Sequence, residues 1–213
     1  MDFPKNLKCI LLDFDETLVT PVQTNYSRLR ARMYQLLQKN NISSEKRISV
    51  MLGSTQNKKI KTLLHTYIDE EEDIGVRSVK PYVGVRKLLL YLNKKKIKFV
   101  IFSRNGSKAI RKVFDKFDLP QPMLYATRDK IGRFKPHPSH LNYVIQETGI
   151  SKFNMLLIGD PPTDAITSQR NRLPAIIFLN PQKRKYLTVK SGKTICKVCT
   201  SHKDILSFLK QKI

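Results

Sequence analysis

Short apolar runs recur along the chain, and polar or turn-forming residues bound each of them. Every run is largely apolar on both faces of an extended chain, which is typical of parallel strands in a sheet covered on both sides. The pattern therefore predicts five buried strands. In chain order these runs are CILLDF from Cys9, IKFVIFS from Ile97, FNMLLIGD from Phe153, AIIFLN from Ala175 and TICKV from Thr194.

Segments with helical periodicity lie between these runs. Gly149 suits the C-terminus of one predicted helix, and Ser201 suits the N-cap of the last one. Strands that alternate with helices of this length predict a Rossmann-like, doubly wound α/β fold with a mainly parallel sheet. The apolar stripes of two further helices are Val85, Leu88, Leu89 and Leu92, and Ile110, Val113, Phe114 and Phe117.

One long interval breaks this alternation, because residues 21–78 contain no convincing strand. The segment VKPYVG, from Val79, then returns the chain to the sheet. We therefore predict an α/β core made of residues 1–20 and 79–213, with residues 21–78 inserted after the first strand as a small all-helical domain. The predicted helices of this insertion are residues 25–40, with Leu29, Met33, Leu36 and Leu37 on one side, residues 44–52 and residues 57–73.

The charge of the chain is far from balanced: 40 Lys and Arg face 17 Asp and Glu, a net charge of +23 at pH 7. Such a surface attracts polyanions, although a Lys-rich composition with no partner explains the charge equally well. No apolar run is long enough to predict a membrane span, and the first residues do not resemble a signal peptide. Three cysteines fit a reducing compartment. We expect an intracellular protein, with the cytoplasm favoured over an organelle or the nucleus.

Polar side chains follow several of the predicted strands at the point where each strand ends. Asp13 and Asp15 follow the first strand, and Asp160 ends the third. The polar residues after the second strand are Ser103, Arg104 and Asn105. Ligands of open parallel sheets bind beyond the carboxyl ends of the strands, so we expect these residues to meet at one edge. Asp164, four residues after Asp160, and Lys135, just before a predicted helix, are expected at the same edge.

This set of residue types suits phosphoryl transfer. One aspartate can attack phosphorus as a nucleophile, and a second can protonate the leaving oxygen and then activate water. Carboxylate oxygens are also the ligands that Mg²⁺ prefers. A hydroxyl group and a lysine can share the charge of the phosphate oxygens.

The residues resemble the four motifs of the haloacid dehalogenase superfamily of phosphohydrolases, in the right order. Asp13-Phe-Asp15-Glu-Thr17 matches the first motif, Ser103 the second and Lys135 the third. The sequence from Gly159 to Asp164 matches the acidic fourth motif. The resemblance covers the chain from about Lys8 onward, apart from the insertion.

The resemblance implies a role for each matched residue. Asp13 would be the nucleophile, and Asp15 would be the general acid and base. Mg²⁺ would be held by Asp13, the backbone carbonyl of Asp15 and Asp160, with support from Asp164. The residues implied to contact the substrate phosphate are Thr17, Ser103, Arg104 through its backbone N–H, and Lys135.

The first motif and the insertion narrow the predicted reaction. Dehalogenases of the superfamily do not place an aspartate at the position of Asp15, because a halide leaving group needs no proton. The insertion resembles the helical cap of phosphoglycolate-phosphatase-like members, which implies a small phosphorylated metabolite as substrate. Glu16 departs from the glycine of many such members and resembles phosphatases of the RNA polymerase tail, but those lack a helical insertion after the first strand.

A different function remains open on the same sequence. The fold could serve as a binding or structural subunit of an RNA-containing or other polyanionic assembly, with little or no catalytic activity. Any contact with nucleic acid is expected to involve phosphates alone, since no stacking platform or groove-reading helix is evident. The basic residues that suggest this contact are Lys94 to Lys98 and Lys183, Arg184, Lys185, Lys190 and Lys193.

Overall fold

The computed structural model describes residues 2–180 and 193–213 of the chain. The chain divides into two compact units, of which one comprises Met1–Pro21 and Lys80–Ile213 and the other Val22–Val79. The first unit is an α/β structure, and the described part of the second unit contains helices but no strand. Four of the basic residues singled out above, Lys183, Arg184, Lys185 and Lys190, lie outside the described residues.

The first unit is built on a sheet whose six described strands are all parallel. The strand order is β3-β2-β1-β4-β5-β6, so the order reverses between β1 and β4 at the centre of the sheet. The predicted Rossmann-like α/β fold is confirmed. The strands are β1 (Cys9–Leu12), β2 (Lys98–Phe102), β3 (Leu124–Ala126), β4 (Met155–Gly159), β5 (Ala175–Phe178) and β6 (Ile195–Cys199).

Eight α-helices occur in the described parts of the chain, and two short 3₁₀ turns accompany them at Arg128–Lys130 and Lys152–Asn154. The Gly149 C-cap has a positive φ of 66°, and the Ser201 side chain caps the last helix by accepting a hydrogen bond from the backbone of Asp204, both as predicted. The helices are α1 (Tyr26–Lys39), α2 (Ile48–Gly53), α3 (Lys58–Gly75), α4 (Val85–Lys94), α5 (Ser107–Lys116), α6 (Pro138–Thr148), α7 (Thr163–Asn171) and α8 (His202–Lys212).

The structure adds two elements that the apolar pattern did not predict. Strand β3 has only three residues, which is too short a run to stand out. Helix α7 buries Asp164, Thr167, Ser168 and Asn171, so its inward face is polar and lacks the expected apolar stripe. The segment after the insertion also differs from expectation, because Pro81 forms an isolated antiparallel bridge with Val19 instead of joining the sheet.

Each unit has its own hydrophobic core. In the first unit, side chains of the sheet pack against Leu141 and Val144 of α6. In the second unit, Glu71 is buried and accepts hydrogen bonds from Arg28 through both carboxylate oxygens, which lowers the pKa of Glu71. The apolar core of the second unit comprises Leu29, Met33, Leu37, Met51, Ile60, Leu64 and Ile68.

No helix in the described residues is long and apolar enough to span a membrane.

The register at the centre of the sheet brings the ends of β1 and β4 together. Leu12 pairs with Ile158, and the backbone N–H of Asp13 donates a hydrogen bond of 2.9 Å to the carbonyl of Ile158. Asp13 and Asp160 therefore follow adjacent strands at the point where the strand order reverses. This is the position at which open parallel sheets bind their ligands.

Candidate active site

Three carboxylates converge at this edge of the sheet. Asp13 follows β1, Asp160 follows β4, and Asp164 lies in the first turn of α7. One carboxylate oxygen from each lies within 4.8 Å of the others. Burial and the charges of Asp13 and Asp164 raise the pKa of Asp160 to about 9. Burial also raises the pKa of Asp164 to about 7, although Lys135 opposes this shift.

A single buried lysine lies among these carboxylates. The Lys135 Nζ atom is 2.5 Å from Oδ1 of Asp13 and 2.9 Å from Oδ1 of Asp164. Burial alone would lower the pKa of Lys135, but the charges of Asp13 and Asp164 and their hydrogen bonds raise it overall. Lys135 therefore stays cationic and offsets part of the negative charge of the cluster.

The cluster fits a divalent cation. When all three carboxyl groups are ionised they outnumber the one lysine, and this crowding of like charges is one reason why the pKa values of Asp160 and Asp164 are raised. Hard oxygen donors of this kind are typical Mg²⁺ ligands. Gly159 keeps the space beside Asp164 open, because a Cβ atom at Gly159 would lie 2.3 Å from the Asp164 carboxyl group.

His140 holds the backbone of Lys135 in place. The Lys135 backbone N–H donates to His140 Nδ1 at 2.9 Å, so the other ring nitrogen carries the proton and donates to the carbonyl of Ala126 at 2.9 Å. The His140 ring packs on Phe102 with a centroid distance of 3.8 Å. Burial lowers the pKa of His140 to about 3, so the imidazole is neutral.

The loop after β2 is attached to the same carbonyl. The backbone N–H of Ser103 donates to Ala126 at 3.1 Å, and the Ser103 hydroxyl accepts from the backbone of Asn105 at 3.2 Å. Asp129 caps the N-terminus of α5, with Ser107 donating through its backbone N–H at 2.9 Å and through its hydroxyl at 2.7 Å. This loop is therefore fixed at both ends.

Two side chains of this loop differ in environment. Arg104 points to solvent. The side-chain amide nitrogen of Asn105 is buried and has no hydrogen-bond partner among the described residues. A buried donor without a partner is costly. The Asn105 amide therefore keeps an unused N–H donor that could bond to an anionic ligand. The sequence predicted Asn105 at this edge of the sheet but assigned it no role.

The remaining residues of the first motif are placed differently. Thr17 is buried, and its hydroxyl donates to Oδ2 of Asp13 at 3.4 Å. Asp15 is partly exposed and lies outside the three-carboxylate cluster. Glu16 has a positive φ of 58°, a conformation that glycine adopts at lower cost than other residues.

Residues 10–178 match the family model of haloacid dehalogenase-like hydrolases. The chain belongs to the haloacid dehalogenase-like hydrolase family. The predicted family is confirmed, and with it the prediction that the chain is a hydrolase. A search of curated proteins finds no match.

Solved structures with the same fold include members that bind phosphate or magnesium. CbbY from Rhodobacter sphaeroides, in complex with phosphate, is 12% identical with a TM-score of 0.63, over 93% of this chain and 96% of that one. YfnB from Bacillus subtilis, bound to magnesium, is 16% identical with a TM-score of 0.60, over 96% and 99%. A predicted phosphoglycolate phosphatase from Haemophilus somnus is 15% identical with a TM-score of 0.60, over 96% and 98%.

Tyr82 is a further polar residue near the acidic residues at the carboxyl edge of the sheet, and the sequence prediction missed it. Its hydroxyl oxygen accepts a hydrogen bond of 2.9 Å from the side-chain amide of Asn180, which follows β5. Burial and the nearby charges of Glu16, Asp15 and Asp160 raise the pKa of Tyr82 to about 12. Asn180 could have been found by the rule that found Asp13, because it too follows a strand at the carboxyl edge.

We expect Tyr82→Phe to lower kcat/KM by roughly 5- to 30-fold, the effect of losing one hydrogen bond near charged groups. Since Asn180 donates to the Tyr82 oxygen, the hydroxyl proton is available to a carboxylate or to substrate. The variant keeps the ring, which packs 5.4 Å from Phe178 between centroids. Steady-state kinetics with Tyr143→Phe as the control would measure the effect. An unchanged kcat/KM in Tyr82→Phe would show that the hydroxyl plays no part.

Gly159→Ala should disrupt the acidic cluster through a single methyl group. The new Cβ would collide with the Asp164 carboxyl group, so this side chain must move. We expect weaker Mg²⁺ binding by calorimetry and a loss of activity of at least about tenfold, the cost of a misplaced charged group. Gly53→Ala is the matched control, because a Cβ there meets nothing within 4 Å. Equal Mg²⁺ affinity in both variants would contradict the assigned role of Asp164.

Proposed function

We propose that the chain is a Mg²⁺-dependent phosphatase that hydrolyses a phosphate monoester through an aspartyl-phosphate intermediate. The observation that supports this most strongly is the cluster of Asp13, Asp160 and Asp164 with Lys135 bonded between two of its members. Membership in a hydrolase family supports it independently. The presence of Asp15 two residues after Asp13 favours a phosphate ester over a halide as the substrate.

In the first step, a carboxylate oxygen of Asp13 attacks phosphorus, and the bond from phosphorus to the leaving oxygen breaks. Asp15, in its protonated form, gives its proton to that oxygen, so that the alcohol leaves as a neutral molecule. In the second step, Asp15 takes a proton from water, and the resulting hydroxide oxygen attacks the aspartyl phosphate. The bond between phosphorus and Asp13 breaks, which releases inorganic phosphate and restores both carboxyl groups.

Asp13, the backbone carbonyl of Asp15 and Asp160 would hold Mg²⁺. When bound, Mg²⁺ supplies positive charge that brings the anionic phosphate close to the anionic nucleophile. Asp164 supports this arrangement by holding Lys135 at 2.9 Å. The contact of Thr17 with Asp13 orients the nucleophile, in addition to the phosphate contact predicted for Thr17.

The substrate phosphate would be held by residues from two loops. Lys135 offers a cation next to the nucleophile, and the Ser103 loop offers a hydroxyl, the backbone N–H of Arg104 and the Asn105 amide. These groups can share the charge on the non-bridging oxygens in the transition state. Asn105 is an addition to the predicted set, made because its amide nitrogen is buried without a partner.

The substrate we propose is a small phosphorylated metabolite, with the helical unit Val22–Val79 acting as the cap that limits substrate size. This rests on the resemblance of the insertion to the caps of phosphoglycolate-phosphatase-like members. The Haemophilus somnus structure named as a predicted phosphoglycolate phosphatase supports the same substrate class.

All three cysteines are free, which supports a cytoplasmic location.

A non-catalytic subunit of an RNA-containing assembly is the second candidate function, and the net charge of +23 favours it. The two functions make different demands on the acidic edge. An inactive descendant of the family has no need for both Asp13 and Asp15. The retention of both therefore favours the enzyme, and a nucleic-acid contact elsewhere on the surface is compatible with catalysis.

Hydrolysis of an aryl phosphate, with Mg²⁺ and with chelator, tests the proposed reaction. We expect turnover that chelator abolishes and Mg²⁺ restores. A panel of phosphorylated metabolites, nucleotides and phosphopeptides then tests the substrate class, with small metabolites expected to be the fastest. Activity that survives chelation would refute the metal requirement. A phosphopeptide hydrolysed faster than every metabolite would refute the proposal that the helical unit limits substrate size.

Asp15→Asn should trap the covalent intermediate. An amide cannot take a proton from water, so breakdown of the aspartyl phosphate should slow more than its formation from an activated ester. We expect a mass increase of one phosphoryl group on Asp13 after incubation with an aryl phosphate. Intact-protein mass spectrometry followed by peptide mapping would detect it. Label on any other residue would exclude Asp13 as the nucleophile.

A further inference from the structure

Lysines from three segments of the chain lie at the amino edge of the sheet, opposite the edge that carries the candidate active site. The segments precede β1, connect α4 to β2, and form the end of α8. Because β1 and β2 are parallel, their first residues lie at the same edge. We name as the amino-edge patch the eight exposed lysines Lys5, Lys8, Lys94, Lys95, Lys96, Lys98, Lys210 and Lys212.

Backbone and ring contacts join the first segment to the other two. The backbone N–H of Lys98 donates to the carbonyl of Lys8 at 3.0 Å. The ring of Phe3 packs edge-on against the ring of Phe208 in α8, with a centroid distance of 5.8 Å. The patch is therefore a surface of the folded α/β unit.

The second and third segments meet around one tyrosine. The Nζ atoms of Lys95, just after α4, and of Lys210, in α8, each lie 5.9 Å from the centroid of the Tyr91 ring. Lys95 also donates to the carbonyl of Ile213 at 3.4 Å. These contacts bring lysines of the second and third segments to the same ring, so the two segments form one continuous basic surface.

The positive charge of the patch is not balanced locally. Within residues 2–8, 94–98 and 208–213, the one acidic side chain is Asp2. In the part of the chain that the structure describes, none of the eight lysines forms an ion pair with an acidic side chain. The acidic residues of the candidate active site, Asp13, Asp160 and Asp164, lie at the opposite, carboxyl edge of the sheet. The unit therefore carries a cationic edge and an anionic edge.

We propose that the amino-edge patch binds the phosphate backbone of nucleic acid, while the carboxyl edge stays free for catalysis. Clustered like charges repel one another, and a chain of phosphates neutralises several of them at once while releasing its own counterions. The helices beside the patch bury their apolar faces, including Leu92 and Leu209, in the core. No base-reading element protrudes from the described residues of these three segments, so binding depends on phosphates and not on sequence.

A lipid surface fits this patch less well than nucleic acid does. Proteins that lie on membranes combine lysines with an apolar helix face that enters the lipid. The apolar stripes of α4 and α8 are already buried in the core: Leu88, Leu89, Leu92, Ile205 and Leu209 are each 0% exposed, and Leu90 of α4 is an isolated exposed leucine. The patch thus offers charge without an insertable apolar face.

A charge-matched pair of triple variants tests the proposal. The patch variant carries Lys95→Gln, Lys98→Gln and Lys210→Gln. The control carries Lys58→Gln, Lys59→Gln and Lys61→Gln, which removes the same charge from exposed positions of the helical unit. The probe is a fluorescent oligouridylate, and its anisotropy is followed at increasing salt concentrations.

We expect the wild-type chain to bind the probe with an affinity that falls steeply with salt. The patch variant should bind at least about tenfold more weakly at low salt, and its slope of log affinity against log salt should be shallower by roughly 2, for three lost phosphate contacts. The control should stay within about twofold of wild type, since its charges lie outside the patch. The wild-type chain should bind an oligonucleotide of unrelated sequence with the same affinity as oligouridylate.

Two further measurements separate this proposal from catalysis and from lipid binding. Oligouridylate should bind Asp13→Asn as tightly as the wild type, because the patch lies away from the acidic edge. Vesicles that contain phosphatidylserine should bind more weakly than the oligonucleotide. No binding at low salt, equal weakening of both triple variants, marked sequence preference, or binding to vesicles alone would each overturn the proposal. All these readouts are independent of phosphatase activity.

Discussion

Replacing Asp13 with asparagine is expected to abolish turnover while the fold stays intact. The amide keeps the size and most of the shape of the carboxylate, but it is a poor nucleophile and a weaker ligand for Mg²⁺. Loss of a covalent nucleophile lowers kcat by at least about a thousandfold. The effect should appear in kcat with every substrate, because formation of the aspartyl phosphate precedes every later step.

The stability of the same variant provides a check on its fold. Asp13 lies close to Asp160 and Asp164, and removing one of three crowded negative charges relieves repulsion. Lys135 keeps its hydrogen bonds to Asp164, at 2.9 and 3.2 Å. We therefore expect thermal unfolding at or above the wild-type midpoint.

Asp118→Asn is the matched control for Asp13→Asn, since it makes the same chemical change at an exposed position paired with Arg86. It should retain full activity. Turnover by Asp13→Asn within tenfold of wild type, in a well-folded sample, would refute the assignment of the nucleophile. Loss of folding would leave Asp15→Asn and its trapped intermediate to decide the point.

The main features of the fold were predictable because burial leaves a strong pattern. Four of the five predicted strands, β1, β2, β4 and β5, are buried apolar runs, whereas β6 forms a strand in which only Cys199 is buried. The predicted stripe of α4 is buried at all of its positions, Val85, Leu88, Leu89 and Leu92. The meeting of Asp13, Asp160 and Lys135 at one edge was also predictable, since parallel strands place their carboxyl ends together. Their roles in catalysis stay predictions.

The elements that the pattern missed are those that are held by polar contacts. Helix α7 turns Asp164 and Asn171 inward, so it shows no apolar stripe. The three-residue strand β3 ends at Ala126, whose carbonyl accepts from both Ser103 and His140. Such contacts depend on distant parts of the chain and leave no periodic signal. His140 in particular looks like any histidine on a helix face until the fold places it beside Lys135.

Lys135→Met is expected to have the largest effect on stability of any substitution at the site. The side chain is 2% exposed and holds Asp13 and Asp164, which would lose their shared cation in a buried setting. Breaking a buried ion pair by removing one partner costs about 3–5 kcal/mol in the free energy of unfolding. Methionine preserves the volume of the side chain, so packing contributes little to this loss.

The same substitution should impair catalysis in a recognisable way. Lys135 contacts the nucleophile and is proposed to contact the phosphate, so KM should rise while kcat falls. Lys130→Met is the control, because Lys130 is exposed and lies 4.0 Å from Asp129. Its loss should change the free energy of unfolding by less than about 1 kcal/mol.

The decisive measurement is the effect of Mg²⁺ on the free energy of unfolding of Lys135→Met. If the instability comes from uncompensated carboxylates, a bound divalent cation should restore part of the lost stability. Urea unfolding with and without Mg²⁺ should then show a larger gain in the free energy of unfolding for Lys135→Met than for the wild type. An equal gain, together with a loss of about 1 kcal/mol or less in the absence of metal, would mean that Lys135 does not balance the acidic cluster.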